Sequence, residues 1–261
     1  TWDGVTAPLA SSTGRLGKMS GATLMTFRFE GGYLTAPRWG KGLRPGRMTC
    51  RLGGKYSPQE LKTMEPARIE EMIRQDLYTD IWQEQAQNPV AFRSRRRAEN
   101  LQTVLYLCPH CHRPGKLAGK GKTLSCACGK RWEFTEFGSF SPAEPFENIL
   151  QWDTWQKAQL PRVLGEGHIL EDENVTVFRL DAEHGQEKLC MDRLTLKDGI
   201  LRCGRQAWPL EAIEDLGLVQ SRNLLMRVGS DYYQLKAAKS CCLRKYREAW
   251  EIARTRQTSE V

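Results

Sequence analysis

At 261 residues the chain is longer than one small module, and a prior of about 100–200 residues per domain divides it into two or three units. Its 40% hydrophobic and 27% charged residues, without low-complexity tract, internal repeat or apolar run near the roughly 18 residues of a membrane span, exclude a disordered or repetitive chain and one with a transmembrane helix. The net charge of +8 and pI near 9.1 favour an anionic partner, without choosing among nucleic acid, anionic lipid and phosphorylated substrate.

Taken in chain order, "GATLMTFRFEGGYLTAPRW" comes first, and its Leu24, Met25, Phe27 and Phe29 predict a buried strand that stops at Gly31-Gly32 and Pro37. A basic string follows, in which Arg38, Lys41, Arg44, Arg47, Arg51 and Lys55 are set among glycines. Arg38 is a candidate for holding a substrate phosphate or approaching anionic headgroups, with Tyr33 and Trp39 at interfacial level; a solvated loop is the alternative. "SPQELK" predicts a helix start, with Ser57 as N-cap, Pro58 in the first turn and Glu60 closing a capping box. From Pro66 an amphipathic helix is predicted to run to about Gln87, with Ile69, Met72, Ile73 and Leu77 on one face. The run Arg93, Arg95–Arg97 reads as a surface helix or a lipid contact.

The densest chemistry lies in "LYLCPHCHRPGKLAGKGKTLSCACGK". Cys108 and Cys111 flank two residues, Cys126 and Cys128 flank one, and fourteen residues separate the pairs. Four thiolates suit the tetrahedral preference of zinc, and each short knuckle lets two sulfurs converge on one ion. His110 or His112 can replace one sulfur, because the second knuckle is a residue shorter than the common form. Four sulfur ligands leave no open position for water, so the expected Zn2+ is structural rather than catalytic. The nine cysteines are odd in number: Cys50, Cys190 and Cys203 stand alone, and Cys241-Cys242 reads as a buried apolar pair. That pattern, with no signal peptide, predicts a reducing cytoplasmic setting.

"ENILQWDTWQKAQL" predicts a connecting helix stopped by Pro161, its aromatic residues in the core. Beyond Gly165, the alternating runs "NVTVFRL", "KLCMDRLTL", "GILRCG", "LLMRV" and "YYQLKA" predict an antiparallel meander. Ser240 is then expected to cap a terminal helix carrying Leu243, Tyr246, Ala249 and Trp250 on one stripe. A pleckstrin-homology-like barrel closed by that C-terminal helix is one fold of this kind.

The order of "WDGVTAPLASSTGRLGKMSGATLMTFRFEGGYLTAPRW", "YSPQELK", "LYLCPHC", "EFTEFGSF" and "WDTWQ" resembles the bacterial 1-acylglycerol-3-phosphate acyltransferase family, in its zinc-ribbon-containing branch, over most of residues 1 to 160. The resemblance implies the α/β C-terminal part of an acyltransferase-like domain (1–104), a zinc ribbon (105–141) and a connecting helix (142–164), and the alternating runs add an antiparallel β domain with C-terminal helix (165–261). It implies acyl transfer from acyl carrier protein or coenzyme A thioester to lysophosphatidic acid, by an enzyme that is cytoplasmic or peripheral on the inner face of the membrane. The family's His-x-x-x-x-Asp motif, whose imidazole takes the proton of the attacking hydroxyl, is missing: none of His110, His112, His168 and His184 has Asp five residues later. The resemblance places that motif and the Phe-Pro-Glu-Gly-Thr-Arg phosphate block before or at Thr1. The chain is therefore expected to be a C-terminal portion that lacks catalytic residues and is inactive alone. The alternative reading is a non-enzymatic zinc-ribbon nucleic-acid-binding or adaptor protein; too few aromatic residues in the ribbon suit base stacking, so nucleic acid is not the expected partner.

Overall fold

The capping order of Ser57, Pro58 and Glu60 starts a helix in the computed structural model, which describes residues 1–181, 183 and 185–259. The Ser57 N–H donates to Glu60 Oε2 at 2.7 Å, and the Glu60 N–H donates to Ser57 Oγ at 3.3 Å, so two helix-end donors are satisfied reciprocally. The chain divides into two units, one of Thr1–Arg38, Gly42–Arg95 and Thr135–Ser139, the other of Trp39–Lys41, Arg96–Phe134 and Phe140–Val261.

In the first unit, α1 (Thr13–Met19), β1 (Leu24–Glu30), α2 (Gly32–Thr35), β2 (Thr49–Tyr56), α3 (Pro58–Thr63), α4 (Pro66–Leu77) and α5 (Ile81–Gln87) follow one another. Strands β1 and β2 form a two-stranded antiparallel ribbon with a register shift between Thr26 and Phe27. Helix α4 buries Ile69, Met72 and Ile73 of the stripe its periodicity predicts; Ile69 and Ile73 share a core with Leu61, against which the partly buried Leu77 packs. It does not continue to Gln87. Tyr78–Asp80 is not helical, and Asp80 Oδ1 accepts the Trp82 and Gln83 N–H groups, which caps a separate α5.

The strand expected to be buried forms, but its apolar residues do not go inside. Met25, Phe27 and Phe29 are 46%, 47% and 56% exposed, and Thr26 is the buried residue of β1. A two-stranded ribbon has one face for α4 to cover. That side carries Thr26, whose hydroxyl donates to Asp76 Oδ2 at 2.7 Å, and alternation sends Met25, Phe27 and Phe29 to the other side.

The second unit opens with the cysteine segment and a four-stranded antiparallel sheet ordered β3 (Leu117–Lys120), β4 (Thr123–Cys126), β5 (Arg131–Phe134) and β6 (Phe140–Ser141). Helix α6 (Ile149–Gly165) follows. It runs through Pro161, where the chain was expected to stop, because Leu160 and Val163 on either side are fully packed in the core. Seven antiparallel strands come next: β7 (Leu170–Leu180), β8 (Gln186–Lys197), β9 (Ile200–Cys203), β10 (Gln206–Pro209), β11 (Asp215–Val219), β12 (Asn223–Val228) and β13 (Asp231–Lys236). Their spatial order is β10-β9-β8-β7-β13-β12-β11, a large open sheet with β10 and β11 at its edges rather than a closed barrel.

Helix α7 (Arg244–Ser259) packs on this sheet through Tyr246 and Ala249, and it starts after Leu243 rather than at Ser240. One continuous apolar core joins Tyr106 and Leu107 of the cysteine segment to α6, the seven-stranded sheet and α7. The chain is thus mixed α and β with a large antiparallel sheet. Among the described residues no helix is long and apolar enough to cross a membrane. His184 lies outside the described residues.

Candidate metal centre

Two tight loops bring the four cysteines together. After Leu107 the chain turns back on itself through the Leu107–Pro114 bridge, with the His112 N–H donating to the Cys108 carbonyl at 2.9 Å and the Gly115 N–H to that of Tyr106 at 2.7 Å. The shorter second knuckle closes between β4 and β5, where the Gly129 N–H donates to the Cys126 carbonyl at 2.9 Å. Gly129 has φ +93°, a backbone conformation that side chains with a Cβ rarely adopt, and this lets a single residue separate the two sulfurs.

The Sγ atoms of Cys108, Cys111, Cys126 and Cys128 all lie within 4.8 Å of one another. Cys108 and Cys128 are 3.8 Å apart, and Cys111 and Cys126 3.7 Å. A tetrahedron of sulfurs, each about 2.3 Å from a central zinc, has edges of about 3.8 Å, so this donor set fits a four-coordinate ion. Burial pushes the Cys108 and Cys126 thiols up from their ordinary range, while the Lys130 N–H donating to Cys128 holds that thiol down at about 6.

Neither histidine joins the cluster. His110 is exposed, and the Nδ1 of His112 lies 3.2 Å from the Arg162 guanidinium, with the ring edge-on to Trp155. The four sulfurs that the spacing singled out are therefore the ones brought together.

A buried polar clamp holds the chain ahead of Cys108. Gln156 of α6 is fully buried; its Oε1 accepts the Tyr106 N–H at 2.9 Å and that of Leu107 at 3.4 Å, and its Nε2 donates to the Val104 carbonyl at 2.8 Å. Trp152 Nε1 donates to the Leu107 carbonyl at 2.9 Å. The Gln156 amide also donates to Asp153, which pairs at 2.6 Å with Arg244 of α7; Arg244 holds Glu248 at 2.6 Å, and Glu248 accepts the Tyr106 hydroxyl at 2.7 Å. Sequence reasoning placed the aromatic residues of "WDTWQ" in the core and missed the polar ones. The signal was available: Gln156 lies between Trp152 and Leu160 at i, i+4, i+8 spacing, a polar residue inside an apolar stripe.

The other candidates are placed differently. Arg38, in the first unit, is exposed, lies 6.0 Å over the Trp2 ring and makes no ion pair among the described residues. Trp39 is not interfacial: it is 2% exposed, edge-on to Phe134. Tyr33 is half-buried and donates to the Trp2 carbonyl. Arg93–Asn100 forms no helix; Arg97 is buried, donates through Nε to the Phe134 carbonyl and pairs with Glu133. Cys241 and Cys242 are buried, and burial pushes their thiols up to about 11 and about 12, which makes them unreactive.

Comparison of the chain with family models, curated proteins and solved structures finds no match.

Proposed function

We propose that this chain is the C-terminal portion of a 1-acylglycerol-3-phosphate acyltransferase, in which a zinc-bound ribbon provides architecture and the proton-abstracting imidazole lies in another part of the enzyme. The chemistry rests on the resemblance in segment order. The observation that carries the rest is the bare face of the β1–β2 ribbon, where Met25, Phe27, Phe29 and Leu52 stand exposed together. Contiguous apolar surface of this kind is uncommon on a free-standing folded unit and suits a sheet that further protein covers. No histidine precedes residue 110, so the acyltransferase-like segment offers no base of the family type.

The metal is zinc in this reading, because four thiolates favour a soft, tetrahedral, redox-inert ion. Cys108, Cys111, Cys126 and Cys128 hold it, and with every position taken by sulfur it cross-links the two knuckles and leaves no place for substrate. Arg38, exposed and without a carboxylate partner among the described residues, is the candidate for the acceptor phosphate. The strand order of four successive hairpin-linked strands beside three more, followed by α7, supports a pleckstrin-homology-like arrangement for the C-terminal domain. The donor is an acyl carrier protein or coenzyme A thioester, the acceptor lysophosphatidic acid, and the setting cytoplasmic or peripheral to the inner membrane face.

The alternative, a nucleic-acid-binding or adaptor ribbon, draws on the absence of acidic residues between Cys108 and Trp132. Against it, Tyr106 and Trp132 are buried and present no ring for base stacking. The test is acyl transfer to lysophosphatidic acid from both thioesters, measured with this chain alone and with the product of the whole reading frame that encodes it. No turnover by the chain and turnover by the whole product are expected; turnover by the chain alone, or by neither, overturns the reading.

A further inference from the structure

We propose that the outer face of the metal ribbon is an electrostatic docking surface for an anionic phospholipid bilayer. The face follows from strand register. In the pairing of β3, β4 and β5, Leu117 and Cys126, then Leu124 and Trp132, point inward and are buried. Alternation puts Ala118, Ser125 and Arg131, and then Lys120, Thr123 and Glu133, on the opposite side. Lys122 sits in the β3–β4 turn and Lys130 directly before β5, so four exposed cations mark this face and its two ends.

Few carboxylates stand among these charges; at the β3–β4 turn Glu99 Oε2 accepts the Gly121 N–H at 3.1 Å, between Lys120 and Lys122 in the chain. Lys120, Lys122, Lys130 and Arg131 make no ion pair among the described residues, and neither does the exposed Arg113. Lys116 differs, pairing with Glu171 at 3.0 Å. The one carboxylate on the face, Glu133, is taken by Arg97 at 2.5 Å. A divalent ion held by four thiolates carries about two negative charges of its own, and the unpaired cations outnumber these.

Unpaired cations along one face of a short sheet are complementary to a surface of anionic headgroups, where each Lys or Arg strengthens partitioning roughly fivefold. The face offers hydroxyls from Thr123 and Ser125 but no exposed ring, so it has the charge a polyanion needs and no platform for a base. The choice of a bilayer over a nucleic acid rests on the acyltransferase reading, whose acceptor is itself an anionic lipid. The docking is tested without that reaction.

The full chain, loaded with zinc, is sedimented with vesicles of phosphatidylcholine alone, with vesicles containing about one third phosphatidylglycerol, and with vesicle-free buffer. Binding to the anionic vesicles alone is expected, falling steeply as salt rises from about 0.1 M to 0.5 M. The variant Lys120→Ala/Lys122→Ala/Lys130→Ala/Arg131→Ala should bind on the order of 10²- to 10³-fold more weakly with its metal content unchanged. If the knuckle substitutions cost metal, Lys120→Ala/Lys122→Ala at the far turn decides the matter, with a loss of about 10- to 30-fold. Arg15→Ala/Lys55→Ala, on the first unit, should bind as the parent does. Equal binding to neutral vesicles, parent-like binding by the ribbon variants, an equal loss in the first-unit variant, or tighter binding to an oligonucleotide at matched phosphate concentration would each overturn the proposal. The vesicles contain no lysophosphatidic acid, so their result stands apart from the acyl-transfer assay.

Discussion

Replacing Gln156 by leucine should cost the second unit about 4 kcal/mol. The two side chains have similar volume, so the change removes hydrogen bonds without opening a cavity. The Tyr106 N–H at 2.9 Å and the Val104 carbonyl at 2.8 Å both lose their partner in a fully buried setting, and each stranded buried group costs about 1–3 kcal/mol. The longer bond from Leu107, at 3.4 Å, adds little. Urea unfolding of the zinc-loaded chain, read from the exchange protection of the Tyr106 amide, measures the loss. Gln159→Leu serves as control: it lies on the same helix, half-exposed and without a side-chain hydrogen bond among the described residues, and should shift stability by less than about 0.5 kcal/mol. A Gln156→Leu protein within about 1 kcal/mol of the parent, with Tyr106 still protected, would show that the clamp does not hold the segment.

Gly119→Ala should destabilise the ribbon by about 1–3 kcal/mol, because its Cβ would collide with the Ala98 carbonyl oxygen and come within 2.9 Å of the Leu101 nitrogen; thermal unfolding of the metal-loaded protein reads this, and an unchanged midpoint would contradict the close approach. Arg244→Met removes the buried cation that Asp153 and Glu248 share, leaving Asp153 to Lys157 and the Gln156 amide and Glu248 to the Tyr106 hydroxyl, and should cost about 3 kcal/mol in guanidinium unfolding, whereas Arg247→Met, on an exposed helix pair, should cost under about 1 kcal/mol. Burial, joined by the Glu30 carboxylate, raises the Glu84 carboxyl above its ordinary value, so the folded chain holds that proton more tightly than the unfolded chain does. Ionised Glu84 therefore costs stability at neutral pH, and the cost disappears as pH falls through the raised value to the ordinary one. Glu84→Gln should raise the melting temperature at about pH 7 and leave it unchanged near pH 4; a gain that persists in acid would refute the assignment.

The features legible in the sequence are those fixed by short-range chemistry. Cysteine spacing reveals which four sulfurs come together because two short knuckles joined by a hairpin leave little geometric freedom. Ser57, Pro58 and Glu60 reveal a helix start because all partners lie within one turn. What the sequence conceals depends on distant partners. The apolar period runs on from Leu77 to Ile81, and the break between them is set by Asp80 capping a new helix. Phe27 and Phe29 look like core residues, yet face outward because Thr26 bonds Asp76, fifty residues away. "QAWP" and "DLGLV" carry proline or glycine and little alternation, so β10 and β11 are recognisable only from the neighbours they pair with. Arg97 looks like one more surface charge until its partners Phe134 and Glu133 are known.

Zinc K-edge X-ray absorption on the purified chain probes the metal's role most directly. One zinc per chain with four sulfur neighbours at about 2.3 Å, no oxygen or nitrogen in the shell, and loss of both metal and ribbon structure in Cys126→Ser are expected. A shell containing water or imidazole, or a chain that keeps its ribbon folded without metal, would contradict that role.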